Sequence, residues 1–190
     1  MELEDMVSIL QKLVDVPAMN GQGPDDGTLA RILEGAKWMP SAGNLQPWEV
    51  VVVRDSDTKE RVVQATLDPF MRDEPDMRPL WLKESPVILV FCADIKRVRT
   101  RYGNERALVV GTGDLGGFLL AFRTVAFLEG WTTGVVREFH PERLKNALGI
   151  PKFIEPVALV PMCRRQPSEG DVVDRPAMEL NAFLHIERWY

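Results

Sequence analysis

Cysteine and histidine are almost missing from this chain of 190 residues, which has only Cys92, Cys163, His140 and His185. There is no CxxC pair and no Cys/His cluster, so neither a disulfide framework nor a zinc-type site is expected. Cys92 lies inside an apolar run and Cys163 follows another, and both read as buried free thiols. His140 precedes Pro141 and reads as a helix-start residue, and His185 as packing near aromatic residues. No GxGxxG and no GxxxxGK[ST] occurs. The fragment GTGDLGG (111–117) lacks the lysine and follows no expected strand, which sets a phosphate loop aside. No Ser-His-Asp or Cys-His set is suggested by spacing. Positive charge is also short: 23 Lys and Arg against 28 Asp and Glu give a net charge of -5, which argues against nucleic acid as the partner. The run PVILVFCA (86–93) is too short to span a bilayer, which takes about 20 residues, so no membrane is expected. The acidic start MELEDM precedes no long apolar run, so a secretory signal is not expected and the cytoplasm is the expected compartment.

What is present is ordinary globular material, 45% hydrophobic and 27% charged. One domain over 1–190 is expected, with a sizeable core. Leu3, Met6, Val7, Leu10 and Val14 fall at helical spacing, and a second helix is expected from near Thr28, ended by Pro40. WEVVVVRD (48–55) reads as a strand buried on both faces, followed by a helix over 56–67. Residues 67–81 read as an irregular surface excursion with Phe70 and Trp81 as apolar anchors. PVILVFCAD (86–94) and PVALVPM (156–162) read as further strands. Residues 111–129 read as a buried central helix, apolar nearly all round. Gly116 and Gly117 inside it suggest that something approaches closely. HPERLKNALG is a short helix, with Pro141 in its first turn and Gly149 past its end. Helices and few strands interleave irregularly. The expected class is therefore α+β, a central mixed or antiparallel sheet flanked by helices.

The most instructive stretch is MPSAGNLQPW (39–48), between a helix and a strand. Ser41 and Asn44 can donate and accept hydrogen bonds, Gly43 admits close backbone approach, and Pro40 and Pro47 stiffen both ends. By itself it fits either a structural corner or a cradle for a flat, polar ligand.

AKWMPSAGNLQPWEVVVVRD resembles the signature of the nitroreductase-like flavoproteins. GWTTGVVREFHPERLKNALGIPKFIEPVALVPM (130–162) and RPAMELNAFLHIERW (175–189) are similar to later family segments, so the resemblance covers roughly 28–189. It implies a nitroreductase-like fold and a homodimer binding FMN at the subunit interface. It also implies an oxidoreductase in which NAD(P)H reduces the flavin, which then reduces a flat small-molecule acceptor in a ping-pong cycle. Carried over by position, cofactor contacts fall on Pro40, Ser41, Ala42 and Asn44, and on Val136 and Arg137 in WTTGVVREF, where backbone N–H groups would approach the flavin.

Two departures accompany the resemblance. The family's opening Arg-Arg-Ser-x-Arg falls here on Lys12-Leu13-Val14-Asp15-Val16, where only Lys12 keeps a positive charge. Arg137 stands where the family tends to have Gly, either supplying the missing charge or blocking the ring face. Arg175 matches a basic residue near the phosphate, and Arg164 and Arg165 are further candidates. These departures motivate a different expectation: a protein of the same fold acting as a binding or regulatory module. The family's flavin-fragmenting branch is a third, with no residue singling it out.

Overall fold

A computed structural model describes residues 2–13, 20–165 and 176–188. In chain order it contains α1 (Leu3–Lys12), α2 (Asp26–Ala36), β1 (Trp48–Val53), α3 (Ser56–Gln64), β2 (Val87–Asp94), α4 (Ile95–Leu128), β3 (Trp131–Thr133), α5 (Pro141–Leu148) and β4 (Ile154–Arg164). The four strands form one sheet in the order β1-β2-β4-β3, with every pairing antiparallel.

The sheet gets its two-sided core from strand alternation. In β2, Val87, Leu89, Phe91 and Ala93 face α2 and α4, where they meet Leu115, Phe118 and Phe122. The alternate residues Ile88, Val90 and Cys92 face Val62 and Val63 of α3 and Leu144 of α5. Trp48 stacks on Phe118 with ring centroids 4.7 Å apart. β1 differs from its expectation. It is an edge strand with Glu49 and Val52 exposed, so the run of valines is not buried on both faces.

Helix starts follow their caps. α2 begins at Asp26 rather than near Thr28, because the Asp25 carboxylate accepts the Thr28 N–H at 2.7 Å. It ends at Ala36, before the stop expected at Pro40. Asp55 caps α3 through the Thr58 N–H in the same way. α3 stops at Gln64, short of the expected 67. His140 is the residue before Pro141 that opens α5, and Gly149 ends it in the left-handed region at φ 68°.

The largest departure is α4, which starts at Ile95, well before the expected Gly111, and changes direction at Gly103 (φ 69°). A Cβ built on Gly111 would lie 3.1 Å from Ile95 Cδ1 and 3.2 Å from Val98 Cγ2. A straight helix would hold Ile95 about 24 Å from Gly111, so the arm 95–102 folds back onto a trunk from 104 to 128. By length and composition α4 could cross a membrane, but the turn interrupts it and its buried side belongs to the sheet core. Nor is the trunk buried all round. Leu108, Val109 (73% exposed), Leu120 and Leu128 face outward, as do Gly113 and Gly116.

Candidate functional site

The loop from Lys37 to Pro47 is built by α4. Met39 lies on Gly117, where an added Cβ would come within 2.7 Å of Met39 Cε. Gly117 therefore serves the close approach expected of it, whereas Gly116 faces open space. One step on, the Ala42 N–H donates to Asp114 Oδ2 at 3.0 Å. The α4 arm holds the other side. Arg97 donates to the Gln46 carbonyl, and Arg101 lies across Gly43, whose added Cβ would fall 2.5 Å from Arg101 Nη1.

Within this clamp the backbone enters the left-handed region three times, at Gly43 (φ 62°), Asn44 (φ 55°) and Gln46 (φ 47°). Glycine takes that conformation freely, and a non-glycine residue there costs roughly 1 to 3 kcal/mol when the surroundings enforce it. Ser41 Oγ accepts the Gln46 N–H at 2.9 Å and Asn44 Oδ1 accepts from Gln46 Nε2 at 2.9 Å. Ser41 thus closes the loop on itself. Among the described residues nothing accepts from Asn44 Nδ2, and Pro40, Gly43 and Asn44 are exposed. The outcome is a preformed, outward-facing polar bend, more than a corner between helix and strand.

Val136 and Arg137 stand on other elements. Val136 exchanges backbone hydrogen bonds with Leu159 of β4, 2.9 Å each way, and is buried. Arg137 is exposed, and its N–H donates to Glu138 Oε2 at 3.0 Å. Val136 and Glu138 border a hollow of about 350 Å³ closed by Leu67, Pro69, Met77, Arg78, Pro79 and Trp81. Its far wall is thus the segment 67–81. A second hollow of about 370 Å³, beside Glu49, Cys92 and Phe153, borders none of the expected residues.

The segment 67–81 is more ordered than an irregular excursion, with short 3-10 turns at Pro75–Met77 and Leu80–Glu84. Phe70 is no anchor, being 73% exposed; Trp81 does pack against the α3–α5 core. The principal anchor is Asp68, a fully buried carboxylate. It accepts from the Phe70 N–H (2.9 Å), the Arg72 N–H (2.7 Å) and Arg72 Nε (2.7 Å). Burial pushes its pKa upward, but the Arg72 and Phe70 hydrogen bonds outweigh that, and the carboxyl sits below its ordinary value. Asp73 is held by Arg78 and at 2.8 Å by Arg143 of α5.

The expected phosphate residues that are described lie on separate elements. Lys12 closes α1, and Val14, Asp15, Val16 and Arg175 lie outside the described residues. Arg164 and Arg165 have other work. Arg164 donates to the Glu129 carbonyl and lies over Trp131, while Arg165 donates to the Phe127 carbonyl and lies 4.1 Å from the Phe127 ring centroid. They tie the end of β4 to the end of α4.

The model of the Nitroreductase family matches residues 20–164. The chain belongs to the nitroreductase family. A protein of Thermus thermophilus named NADH dehydrogenase is 30% identical over 164 residues, covering 71% of this chain and 74% of that one. One of Archaeoglobus fulgidus, named putative NADH dehydrogenase/NAD(P)H nitroreductase, is 25% identical over 98% of this chain and all of its own length. A solved putative nitroreductase of Bacillus subtilis superposes with a TM-score of 0.81 at 16% identity, covering 97% of this chain and 100% of its own. A putative nitroreductase from Exiguobacterium sibiricum, solved in complex with FMN, superposes at 0.77 with 14% identity over 95% of this chain and 96% of its own. The helix-flanked antiparallel sheet is therefore the nitroreductase fold. The loop at 40–44 and the segment at 136–137 are both formed here, on different elements of the chain.

Proposed function

We propose that this nitroreductase-family chain, one domain over 1–190, is an FMN-dependent NAD(P)H oxidoreductase. It works as a homodimer on flat small-molecule acceptors, quinones and nitroaromatics, in the cytoplasm. The carrying observation is the loop Met39–Gln46, seated by both parts of α4 and presenting the uncommitted Asn44 amide outward.

The residues fit the ring of FMN. Asn44 Nδ2 and the exposed Gly43 backbone supply donors, and Trp81, Pro79 and Val136 supply an apolar wall beside a hollow of suitable size. FMN, when bound, would supply the hydride and electron-transfer chemistry between NAD(P)H and the acceptor. The chain's own part is to orient and to exclude water. Ser41 holds the loop in shape, Asn44 and the Gly43 backbone grip one edge, and Val136 and Arg137 line the other. The Arg137 N–H becomes available once the Glu138 carboxylate swings aside, and its guanidinium adds positive charge near the ring. Lys12 and Arg175 complete the phosphate end. Donor and acceptor use the same hollow in turn, which gives ping-pong kinetics.

Two subunits are part of the reading because Met39 seats the loop on the α4 face of the sheet while Val136 belongs to the core on the opposite face. Exposed apolar side chains support the pairing: Val109 and Leu120 on the α4 trunk, Leu3 on α1, Phe183 and Ile186 in the C-terminal segment, and Trp38 (82% exposed) beside the loop. Patches of this kind mark interfaces.

The test is the visible spectrum of the purified protein. Flavin bands that bleach with NADH or NADPH and return with a quinone are expected, on a dimer by light scattering. A colourless protein that takes up no added FMN overturns the reading. The charge lost at 12–16 favours a second reading, a nitroreductase-fold binding module. It predicts the same dimer with no NAD(P)H oxidation.

A further inference from the structure

The chain carries a net charge of -5, yet its α4 arm and the turn after it hold Lys96, Arg97, Arg99, Arg101 and Arg106, with Glu105 alone as acid between them. Two of these cations have structural work. Arg97 binds the Gln46 carbonyl, Glu49 and Asp94, and Lys96 lies over the Phe153 ring. Arg99, Arg101 and Arg106 are exposed, and no carboxylate among the described residues pairs with them. Glu49 and Asp94 are taken by Arg97, and Asp114 Oδ2 accepts from the Ala42 N–H.

Arg101 is not simply solvated. Its Cδ, Cζ and Nη1 all lie within 2.8 Å of where a Gly43 Cβ would stand. Its own Tyr102 ring is 5.9 Å from the guanidinium carbon. The side chain is laid along the loop, with its donors unspent, and glycine at position 43 makes room for it. A surface guanidinium without an acid partner keeps its donors for an incoming anion.

We propose that Arg101, flanked by Arg99 and Arg106, is an anion-selecting rim of the flavin site. It would recognise a phosphate, sulfonate or carboxylate carried by the donor or the acceptor. The proposal rests on the dimeric FMN reading above. In that arrangement the loop of one subunit meets the ring held by its partner, and Arg101 travels with the loop to the mouth of the partner's hollow. Arg137 serves the ring itself, so a second cation at the rim chooses among flat molecules by their charged substituent. Arg101 is here a specificity residue. The electron transfer does not depend on it.

The test compares wild type with Arg101→Gln and Arg101→Lys. Ratios of kcat/KM are measured for NADPH against NADH, and for 1,2-naphthoquinone-4-sulfonate against the neutral quinone menadione. Arg101→Gln is expected to lower at least one ratio about fivefold or more, the scale of a partly exposed charge contact, and Arg101→Lys to restore part of it. A fall in the first ratio assigns the anion to the donor, and in the second to the acceptor. Wild type should also bind adenosine 2′,5′-bisphosphate or naphthalene-2-sulfonate more weakly as salt rises, and Arg101→Gln should bind it more weakly still. Neither compound accepts electrons, so this readout needs no turnover. Both ratios unchanged, or an equal loss on charged and neutral substrates, overturns the proposal. A colourless wild type would instead overturn the flavin reading.

Discussion

Two stretches border the proposed site, and they are held in opposite ways. The loop Lys37–Pro47 is fixed mainly by steric fit and backbone bonds: Met39 on Gly117, the Ala42 N–H on Asp114, and a left-handed turn at Gly43. The segment 67–81 is fixed mainly by charge: Asp68 with Arg72, and Asp73 with Arg78 and Arg143. The steric part of the first resists salt and pH but tolerates no added volume. The second accepts volume change and answers to protons. A rigid cofactor edge opposite a tunable wall suits an enzyme whose cofactor is constant while its acceptors vary.

The largest effect expected from breaking that contrast is at Gly117. Gly117→Leu forces Met39 away, costs about 3 kcal/mol by overpacking and releases the flavin. Denaturant unfolding and the visible spectrum check both. Next comes Asp68→Ala, which removes the acceptor of the part-buried Phe70 and Arg72 N–H groups and costs about 2 kcal/mol. It should raise KM for the quinone while flavin content stays near wild type, and equal loss of both would erase the proposed division of labour. Gly43→Ala follows, at about 1 to 2 kcal/mol for the left-handed conformation, read as roughly tenfold weaker FMN binding. Its displacement of Arg101 should also lower the charged-to-neutral quinone ratio.

The smallest effect is a titration. Hydrogen bonds from Arg143 and then Arg78 lower the Asp73 carboxyl from 3.8 to about 2. A depressed folded pKa means the contribution is complete above the unfolded value and is lost as pH falls through the folded one. Hydrogen exchange over residues 67–81, relative to the intrinsic rate, should therefore quicken between about pH 4 and pH 2, while exchange over 44–46, whose N–H groups donate to neutral oxygens, holds. Arg143→Gln should move the acceleration to higher pH.

Much of the fold was legible in the sequence. The α+β class, the strand at 86–94 and the Pro141-to-Gly149 helix followed from local chemistry. The loop at 39–48 was visible as a motif, and later segments in matching order gave it its family reading. Other features were hidden because they depend on distant neighbours. Nothing local says that WEVVVV lies at a sheet edge, since edge position depends on which strands pair with it. Gly103 looked like one glycine among fourteen, and only the packing of Ile95 and Val98 on Gly111 reveals a reversal there. Arg101 went unremarked for the same reason, being far in sequence from the loop it covers. Asp68 was hidden inside a polar stretch, because a buried carboxylate shows itself only through its donors.

The two cysteines have a consequence for the protein's own survival. Both lie on inner strands with almost no exposure, and burial, with the Glu155 and Glu49 charges behind it, pushes the Cys92 thiol up to about 12. Quinones, the acceptors proposed above, are electrophiles that thiolates attack. At neutral pH a thiol with that pKa is ionised in only about one molecule in 100,000, and Cys92 has no exposed surface. An enzyme that turns over such compounds would thus be spared alkylation by its own substrates for as long as it stays folded. The same shielding makes thiol labelling a direct clock of how often the central sheet opens.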